Sequence, residues 1–305
     1  MQKSKIKSLV ITGASSGIGL ALARHYLERG VFVAAIARRS DLLQSLSNEF
    51  PNQVIGYALD VRDAAALQLA ARDFISRVGI PDIVIANAGV SVGTLTEYPE
   101  DESVFRQVMD INVLGMVQTF QPFLAAMREA ACSQPSPQSS DETTSHSTKH
   151  AKAVQVAGYP ASGESAARGA KPGKREKQFT LVGIASVAGF RGLPGASAYS
   201  ASKAAAISYL ESLRVELRST GIKVVTLCPG YIKTPMTDIN PYAMPFILDA
   251  QVAAARMARV IDAGCSFSVV PWQMGIVGWV LKRLPNWLYD RLFVNAPRKP
   301  RGLIK

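Results

Sequence analysis

The sequence is poor in the residues that build disulfides and metal sites. Its 305 residues include three cysteines, Cys132, Cys228 and Cys265, which show no paired spacing. This usage is typical of a reducing compartment and argues against a disulfide scaffold or a structural zinc site. Two of the three histidines, His146 and His150, lie in one polar stretch, and we predict no metal site there.

Long apolar runs are also missing. A membrane-spanning helix needs about 20 consecutive apolar residues, and the longest stretch here, residues 274–281, is much shorter. A first strand predicted at residues 8–12 leaves no room before it for a secretory signal. We therefore expect a cytoplasmic protein.

Positive charge is concentrated at the C-terminus. The net charge is +11, and from Lys282 onward the sequence has seven basic residues and one acid, Asp290. Such a tail suits an anionic surface. We expect either a solvated terminus or peripheral contact with the anionic inner face of a membrane, and no nucleic-acid partner.

Hydrophobic patterning predicts an α/β fold, a doubly wound parallel β-sheet of about seven strands with helices on both faces. The predicted strands are residues 8–12, 31–37, 53–58, 82–86, 179–185, 223–227 and 267–270. Helical segments separate them. One is predicted at residues 41–50 with Ser40 as its cap, and a long one within residues 101–131.

Two segments depart from this alternation. Residues 132–178 are rich in Ser, Thr, Pro, Gly and Lys, a composition typical of a disordered insertion. Residues 272–305 contain two apolar helical stretches separated by Pro285. We predict a Rossmann-type domain over residues 1–271, interrupted by the insertion, and a helical C-terminal extension over residues 272–305.

The first predicted strand ends in a glycine-rich turn, TGASSGIG at residues 12–19. Turns of this type bring backbone N–H groups and a helix N-terminus up to a dinucleotide pyrophosphate. The alternative is an ordinary strand-to-helix turn that needs small residues. The predicted cofactor contacts in this turn are Gly13, Ser15, Ser16, Gly17, Ile18 and Gly19.

A second group of residues suggests proton transfer. Tyr199 and Lys203 are four apart and fall on one face of a predicted helix. An ammonium there stabilises a phenolate and lowers the pKa of the phenol, which can then exchange a proton with a substrate oxygen. Ser186 precedes Tyr199 by thirteen residues. Together with a dinucleotide turn, this group predicts hydride chemistry.

These motifs resemble those of the short-chain dehydrogenase/reductases, a family built on a Rossmann-type domain. Residues 12–19 are similar to its glycine motif, Asn87, Ala88 and Gly89 to its NAG motif, and Pro229 and Gly230 to the segment after its sixth strand. The resemblance extends from about residue 8 to residue 271 and is broken by the insertion.

The resemblance implies four catalytic residues. In such enzymes the equivalent of Tyr199 exchanges the proton with the substrate, and that of Lys203 lowers its pKa and binds the nicotinamide ribose. The equivalent of Ser186 donates to the substrate oxygen. Asn112 matches the asparagine that holds a water linked to the lysine.

The end of the second predicted strand indicates the cofactor. NAD-binding proteins tend to carry an acid there, which bonds to the ribose hydroxyl. Here the strand is followed by Arg38 and Arg39, with Asp41 placed late and better suited to a helix start. An arginine suits a 2′-phosphate, and Ser15 adds a donor. We therefore predict NADP with Arg38 as its partner, rather than NAD.

Further cofactor contacts follow from the resemblance. Asp60 and Val61, after the third strand, are expected near the adenine, although Asp60 could instead cap a helix. Ile232 and Thr234 match positions that meet the nicotinamide carboxamide, and Tyr199 and Lys203 complete the predicted cofactor set with Pro229 and Gly230.

The expected substrate is a hydrophobic carbonyl compound or alcohol. Residues 236–247 are rich in Met and aromatic side chains, which form adaptable apolar pockets or pack in the core. A 3-oxoacyl-carrier reductase is the alternative enzyme, and a non-catalytic nucleotide-binding protein the alternative class. The resemblance also implies a homodimer, and we expect the extension either to cover a second face or only to close over the substrate pocket.

Overall fold

A computed structural model of the chain describes residues 6–132 and 178–302. The predicted insertion, residues 132–178, therefore lies outside the described residues except at its two ends, and so do His146 and His150. The prediction of a disordered insertion stays a prediction.

The described strands form a parallel sheet. They are β1 (Ser8–Thr12), β2 (Phe32–Ala37), β3 (Val54–Ala58), β4 (Ile83–Ala86), β5 (Thr180–Ile184), β6 (Lys223–Pro229), β7 (Ile232–Lys233), β8 (Leu248–Asp249) and β9 (Phe267–Val270). Within residues 6–132 and 178–302, seven of them form one sheet in the order β3-β2-β1-β4-β5-β6-β9, and β7 pairs with β8 outside it. The predicted doubly wound Rossmann fold is confirmed.

Helices cover both faces of this sheet. They are α1 (Gly17–Leu27), α2 (Ser40–Glu49), α3 (Ala64–Val78), α4 (Asp101–Met109), α5 (Gly115–Cys132), α6 (Ser197–Glu216), α7 (Pro235–Asp238), α8 (Ala250–Ala263), α9 (Trp272–Arg283) and α10 (Asn286–Phe293). The central strands are buried along their whole length, as expected for a parallel sheet covered on both sides.

Two local predictions need correction. Ser40 is the first residue of α2 rather than its cap, a position that Arg39 occupies. The long helix predicted within residues 101–131 is interrupted by a π-helical turn, Asp110–Leu114, between α4 and α5. Single π turns are frequent at functional sites, and this one carries Asn112.

The C-terminal extension packs against the carboxyl edge of the sheet. Its two helices are separated at Pro285, as predicted. Met274 fills the space beside Gly230, and Gly278 faces the ring of Phe190. The inner side of α9 therefore covers the segment between β5 and α6.

The strand order fixes where a ligand can bind. β1 and β4 are neighbours in the sheet. From β1 the chain continues to β2 on one side, and from β4 it continues to β5 on the other side. A crevice opens outside the carboxyl ends of strands at such a point, and ligands of α/β sheets bind there. Thr12 and Ala86 end these two strands.

Candidate active site

The glycine turn lies at the end of β1, beside this crevice. Gly13 and Gly17 have φ angles of 68° and 57°, where other residues are strained. A Cβ atom on Gly13 would lie 2.9 Å from the Cα atom of Ala88, and one on Gly19 would lie 2.2 Å from the carbonyl oxygen of Gly13. The turn can therefore pack this tightly only with glycines.

Asn87 fixes the turn to the end of β4. Its Nδ2 atom donates to the carbonyl oxygens of Thr12 at 3.0 Å and Gly13 at 3.3 Å. The backbone N–H groups of Asn87 and Ala88 donate to Thr12 Oγ1 at 3.2 and 3.3 Å. Asn87 was predicted as a cofactor contact, and in the structure its amide joins the ends of two strands.

Arg39 brings positive charge to the turn. Its Nη2 atom donates to Ser15 Oγ at 3.0 Å and to Ser16 Oγ at 2.8 Å. The first turn of α1 has no acidic residue, and helix N-termini favour anions. The sequence predicted Arg38 and Ser15 as two partners of a 2′-phosphate, and in the structure Arg39 is the arginine that contacts Ser15. The charge of Arg38 acts instead on the carboxyl of Asp60, where it helps to lower the pKa.

Asp60 is held by Arg62. The carboxylate accepts from the backbone N–H of Arg62 at 2.9 Å, from Nε at 3.0 Å and from Nη2 at 2.7 Å. The hydrogen bond from the Arg62 side chain is the main cause of its lowered pKa. Asp63, not Asp60, caps α3, since its carboxylate accepts the N–H of Ala66 at 2.9 Å. The helix-cap interpretation of Asp60 is therefore wrong.

Two apolar members of the predicted cofactor set, Val61 and Ile18, help to hold the fold. Val61 is buried, and its Cγ2 atom lies 2.7 Å from the place of a Cβ on Gly115. Ile18 is partly buried against the core cluster that contains Leu9 and Ile11. Both side chains therefore contribute packing, each to a different core cluster.

The predicted Ser, Tyr and Lys residues come together at the carboxyl ends of β5 and β6. Lys203 Nζ lies 5.8 Å from the ring centroid of Tyr199 and donates to the carbonyl oxygen of Ile184 at 2.9 Å. The side chains of Ser186 and Tyr199 share a hydrogen bond. Ser186 Oγ also accepts the N–H of Ala188 at 3.1 Å, which fixes the serine rotamer.

Burial controls the pKa values of this group. Desolvation raises the pKa of Tyr199, and the bond with Ser186 offsets part of that rise. Desolvation also lowers the pKa of Lys203 to about 8. The direction of the shift is opposite to the lowering expected from Lys203, and burial is its largest cause. At neutral pH Tyr199 is a protonated phenol, which is the form of a proton donor.

Asn112 braces the same site from the π-helical turn. Its Oδ1 atom accepts the N–H of Val90 at 2.8 Å, and its Nδ2 atom donates to Val90 O at 3.0 Å and Ser202 Oγ at 2.9 Å. A Cβ on Gly89 would lie 3.1 Å from Asn112 Oδ1 and 3.5 Å from Lys203 Nζ. The asparagine thus ties the loop after β4 to α6, close to Lys203.

The segment after β6 completes the crevice. Ser186 Oγ donates to Pro229 O at 3.4 Å, and Ile232 is buried. The Cγ2 atom of Thr234 lies 3.2 Å from the place of a Cβ on Gly17. The β6–α7 segment therefore reaches across from the catalytic residues to the glycine turn, with Gly230 seated on Met274 as described above.

An aromatic and methionine-rich loop covers Tyr199. The rings of Tyr231 and Tyr242 lie 6.4 Å apart, edge to face, and burial raises the pKa of Tyr242, with smaller contributions from Tyr231 and Tyr199. Met236, Phe246 and Ile247 are exposed apolar side chains. Because they are exposed, these side chains do not belong to the hydrophobic core, and they are available to form the wall of a substrate pocket.

The C-terminal extension returns to this site through contacts of Lys299 and Arg301 that the sequence did not predict. We call residues 296–302 the C-terminal strap. Its Lys299 is 8% exposed, and its Nζ atom donates to Ser91 Oγ at 3.0 Å and to Met236 O at 3.3 Å. Arg301 binds Asp101 through two hydrogen bonds of 2.9 and 3.1 Å. A lysine more than 200 residues beyond Ser91 has no local signal that could have predicted this contact.

Comparison with known proteins identifies the family. The sequence model described as short chain dehydrogenase matches residues 7–134 and 165–242. The chain belongs to the short-chain dehydrogenase family. It is therefore an oxidoreductase that uses a nicotinamide dinucleotide and acts on alcohol and carbonyl groups, and the prediction of the family and enzyme class is confirmed.

Two kinds of relative support this assignment. An uncharacterized oxidoreductase of Myxococcus xanthus (strain DK1622) is 34% identical over 295 residues, which are 95% of this chain and 97% of that protein. The fold is similar to that of a short chain dehydrogenase from Burkholderia cenocepacia J2315 in complex with NADP, with a TM-score of 0.69, 21% identity and coverage of 96% and 99%. It is also similar to one from Burkholderia phymatum in complex with NAD, with a TM-score of 0.70, 20% identity and coverage of 99% and 100%.

Neither a metal-binding cluster nor a membrane-spanning helix occurs among the described residues. Across residues 6–132 and 178–302, no group of three His, Cys, Asp or Glu side chains is placed to hold a metal ion. No helix in the same ranges has both the length and the apolarity to cross a membrane.

Proposed function

We propose that the protein is an NADP(H)-dependent oxidoreductase that interconverts a carbonyl group and a secondary alcohol on a substrate with a hydrophobic body. The observation that carries this proposal is the convergence of Ser186, Tyr199 and Lys203 beside the glycine turn. The chain has the residues to receive the cofactor, since the turn lacks side chains that would block a pyrophosphate and has an arginine beside it.

The cofactor preference is supported by charge. Arg39 contacts Ser15 and Ser16, and the charge of Arg38 acts on Asp60, so the two arginines bring positive charge to the parts of the crevice proposed for the adenosine half of the cofactor. Guanidinium groups bind phosphate by charge-assisted bonds. The other predicted contacts are Gly13, Gly17, Ile18 and Gly19 at the pyrophosphate, and Asp60 and Val61 at the adenine.

Catalysis is divided among four side chains. When bound, the nicotinamide supplies the hydride in reduction and accepts it in oxidation. Tyr199 donates its phenolic proton to the developing alkoxide, and Ser186 donates a hydrogen bond to the same oxygen. Lys203 holds positive charge near the phenolate that forms, and it also binds the ribose. The segments Asn87 to Gly89 and Pro229 to Thr234 lie around that ribose. Asn112 connects the loop after β4 to Lys203 and holds the water through which the lysine is reprotonated.

A substrate panel tests the proposal. Ketones and secondary alcohols with apolar bodies would be assayed with NADPH and NADP, and with NADH and NAD. Turnover of at least one apolar ketone, lost in Tyr199→Phe, supports it. Turnover restricted to acyl chains on a carrier indicates the 3-oxoacyl reductase instead, and tight NADPH binding without any turnover indicates a non-catalytic protein.

We also propose that the protein is a homodimer. Helices α4 and α6 pack against each other and expose the apolar side chains Phe105 and Val215, with Leu114 beside them. A second copy would bury these residues. The inner side of the extension already covers the neighbourhood of β9, which disfavours a tetramer through that strand.

The outer side of the extension fits an anionic membrane surface. All three tryptophans of the chain lie on α9 and α10, and Trp272, Trp279 and Trp287 are 66%, 57% and 70% exposed. The Arg283 guanidinium lies 4.1 Å from the Trp279 ring centroid, and Lys282 and Arg291 add charge. Exposed tryptophans with interleaved cations are typical of segments that rest in the membrane interface. We propose peripheral contact there, from the cytoplasmic side.

A further inference from the structure

The C-terminal strap is locked to the loop that follows the NAG motif. The N–H of Gly93 donates to Pro300 O at 2.9 Å, and a Cβ on Gly93 would lie 2.2 Å from Lys299 O. The next residue, Thr94, pairs with Ala196, and its Oγ1 accepts the N–H of Ala198 at 3.1 Å at the start of α6. Gly93 thus contacts the strap and its neighbour Thr94 contacts α6, so two consecutive residues connect the strap to the helix that carries Tyr199.

Arg301 anchors the strap from outside. Besides its two bonds to the buried Asp101, it binds Glu100 Oε1 at 3.0 Å and lies 3.4 Å from the Tyr98 ring centroid. Asp101 in turn accepts the N–H of Leu95 at 2.7 Å. This arrangement fixes the backbone of the strap, so that Lys299 enters the protein at a defined place.

Lys299 enters between two segments of the active site. Ser91 is two residues past Gly89, which lies beside the Lys203 ammonium, and two residues span at most about 7 Å. Met236 is two residues past Thr234 and belongs to the apolar loop over Tyr199. The Lys299 ammonium therefore lies between the loop after β4 and the apolar loop that contains Met236.

The charge of Lys299 has no anionic partner among the described residues. Its two acceptors are a hydroxyl and a backbone carbonyl, both neutral, and an ammonium has three donors. Desolvation by burial is the cause of its pKa of about 8. A buried cation without a counter-ion is costly, and such groups cluster at functional sites. A bound anion would offset that cost.

We propose that Lys299 is a substrate-binding residue and that the substrate carries an oxyanion, a carboxylate or its equivalent, in addition to the reacting carbonyl or alcohol. The proposal rests on the function proposed above. The apolar loop holds the body of the substrate, and Lys299 binds its charged end. The C-terminal strap is thus a wall of the pocket.

Matched substrates test this inference. Oxo acids of graded length, including 4-acetylbenzoate, would be compared with the methyl ester of each, using NADPH and the full-length enzyme. A charge-assisted bond predicts that kcat/KM for the best acid exceeds that for its ester roughly tenfold or more. Lys299→Met should lower kcat/KM for the acid by roughly tenfold more than that for the ester, which removes the preference, and Lys299→Arg should retain it. Lys282→Met, which removes an exposed lysine on α9, is the matched control.

The outcomes separate the two proposals. If the wild type reduces acids and esters equally, or if Lys299→Met slows both alike, the role of Lys299 is refuted while the oxidoreductase proposal stands. If the enzyme turns over none of these ketones, a binding measurement tests the same inference. In the presence of NADPH, 4-acetylbenzoate should raise the melting temperature of the wild type and not of Lys299→Met, and its methyl ester should not discriminate between them. Equal shifts in both proteins would overturn the inference.

Discussion

The guanidinium of Arg39 reaches back over the glycine turn, where Nη2 donates to Ser16 Oγ at 2.8 Å. Two elements that are 23 residues apart in the sequence are thereby joined. The contact puts a fixed positive charge beside the first turn of α1. We therefore expect Arg39, as well as Arg38, to contribute to cofactor binding.

NADPH should bind at least tenfold more tightly than NADH, because each charge-assisted contact with a 2′-phosphate contributes roughly 1.5–3 kcal/mol. Arg38→Ala and Arg39→Ala should each weaken NADPH binding without changing NADH binding by more than about twofold. Fluorescence titration measures both affinities, and Arg77→Ala, which removes an arginine from α3, controls for net charge. Equal affinity of the wild type for the two cofactors would contradict the proposed preference.

Tyr199→Phe should abolish turnover and leave NADPH binding nearly intact. The phenol is the proposed proton donor, yet it lies away from the pyrophosphate turn. Lys203→Ala should impair both, because the lysine acts at the ribose and at the tyrosine. Initial rates and cofactor titrations measure these effects. Tyr209→Phe makes the same chemical change farther along α6 and should be nearly silent. Substantial activity in Tyr199→Phe would remove the mechanism.

Lys299 should leave a signature in the pH dependence of stability. Its pKa is about 8 in the folded protein against an ordinary value of 10.5, so between these values the unfolded chain binds more protons. The free energy of unfolding of the wild type should therefore rise with pH across this window, by up to about 3 kcal/mol relative to Lys299→Met. Denaturant unfolding at a series of pH values measures the difference. A difference that does not change with pH would show that the ammonium is not desolvated.

The exposed tryptophans should matter for membrane binding and not for activity. Wild-type protein should float with anionic vesicles at low salt, and Trp272→Ser combined with Trp287→Ser should lose that binding while keeping turnover. Leu69→Ser, which replaces an exposed leucine on α3, is the control. Absence of flotation by the wild type would contradict the membrane proposal. Separately, a tetramer measured by light scattering would contradict the dimer proposal.

Sequence alone could predict the architecture because each layer has a local signal. Strands such as β1 and β9 are short apolar runs whose bounds were predicted without error, and Pro285 marks the break between α9 and α10. Tyr199 and Lys203 are four residues apart on one helix, so their proximity follows from helix geometry alone.

The remaining features depend on tertiary contacts. Choosing between Arg38 and Arg39 requires the direction of each side chain, which no periodicity encodes at the end of a strand. The pKa of Tyr199 depends on burial by loops from distant parts of the chain. The bond between Lys299 and Ser91 joins residues 208 apart, and no local pattern predicts such a pairing.

The C-terminal strap has a consequence for how such enzymes can diversify. The family match ends at residue 242, whereas the strap follows it and contacts the loop after β4, the start of α4 and Met236 of α7 rather than the strands of the sheet. Its last few residues can therefore change without disturbing the strands or the glycine turn. Exchange of this peptide between relatives therefore offers a route to new selectivity.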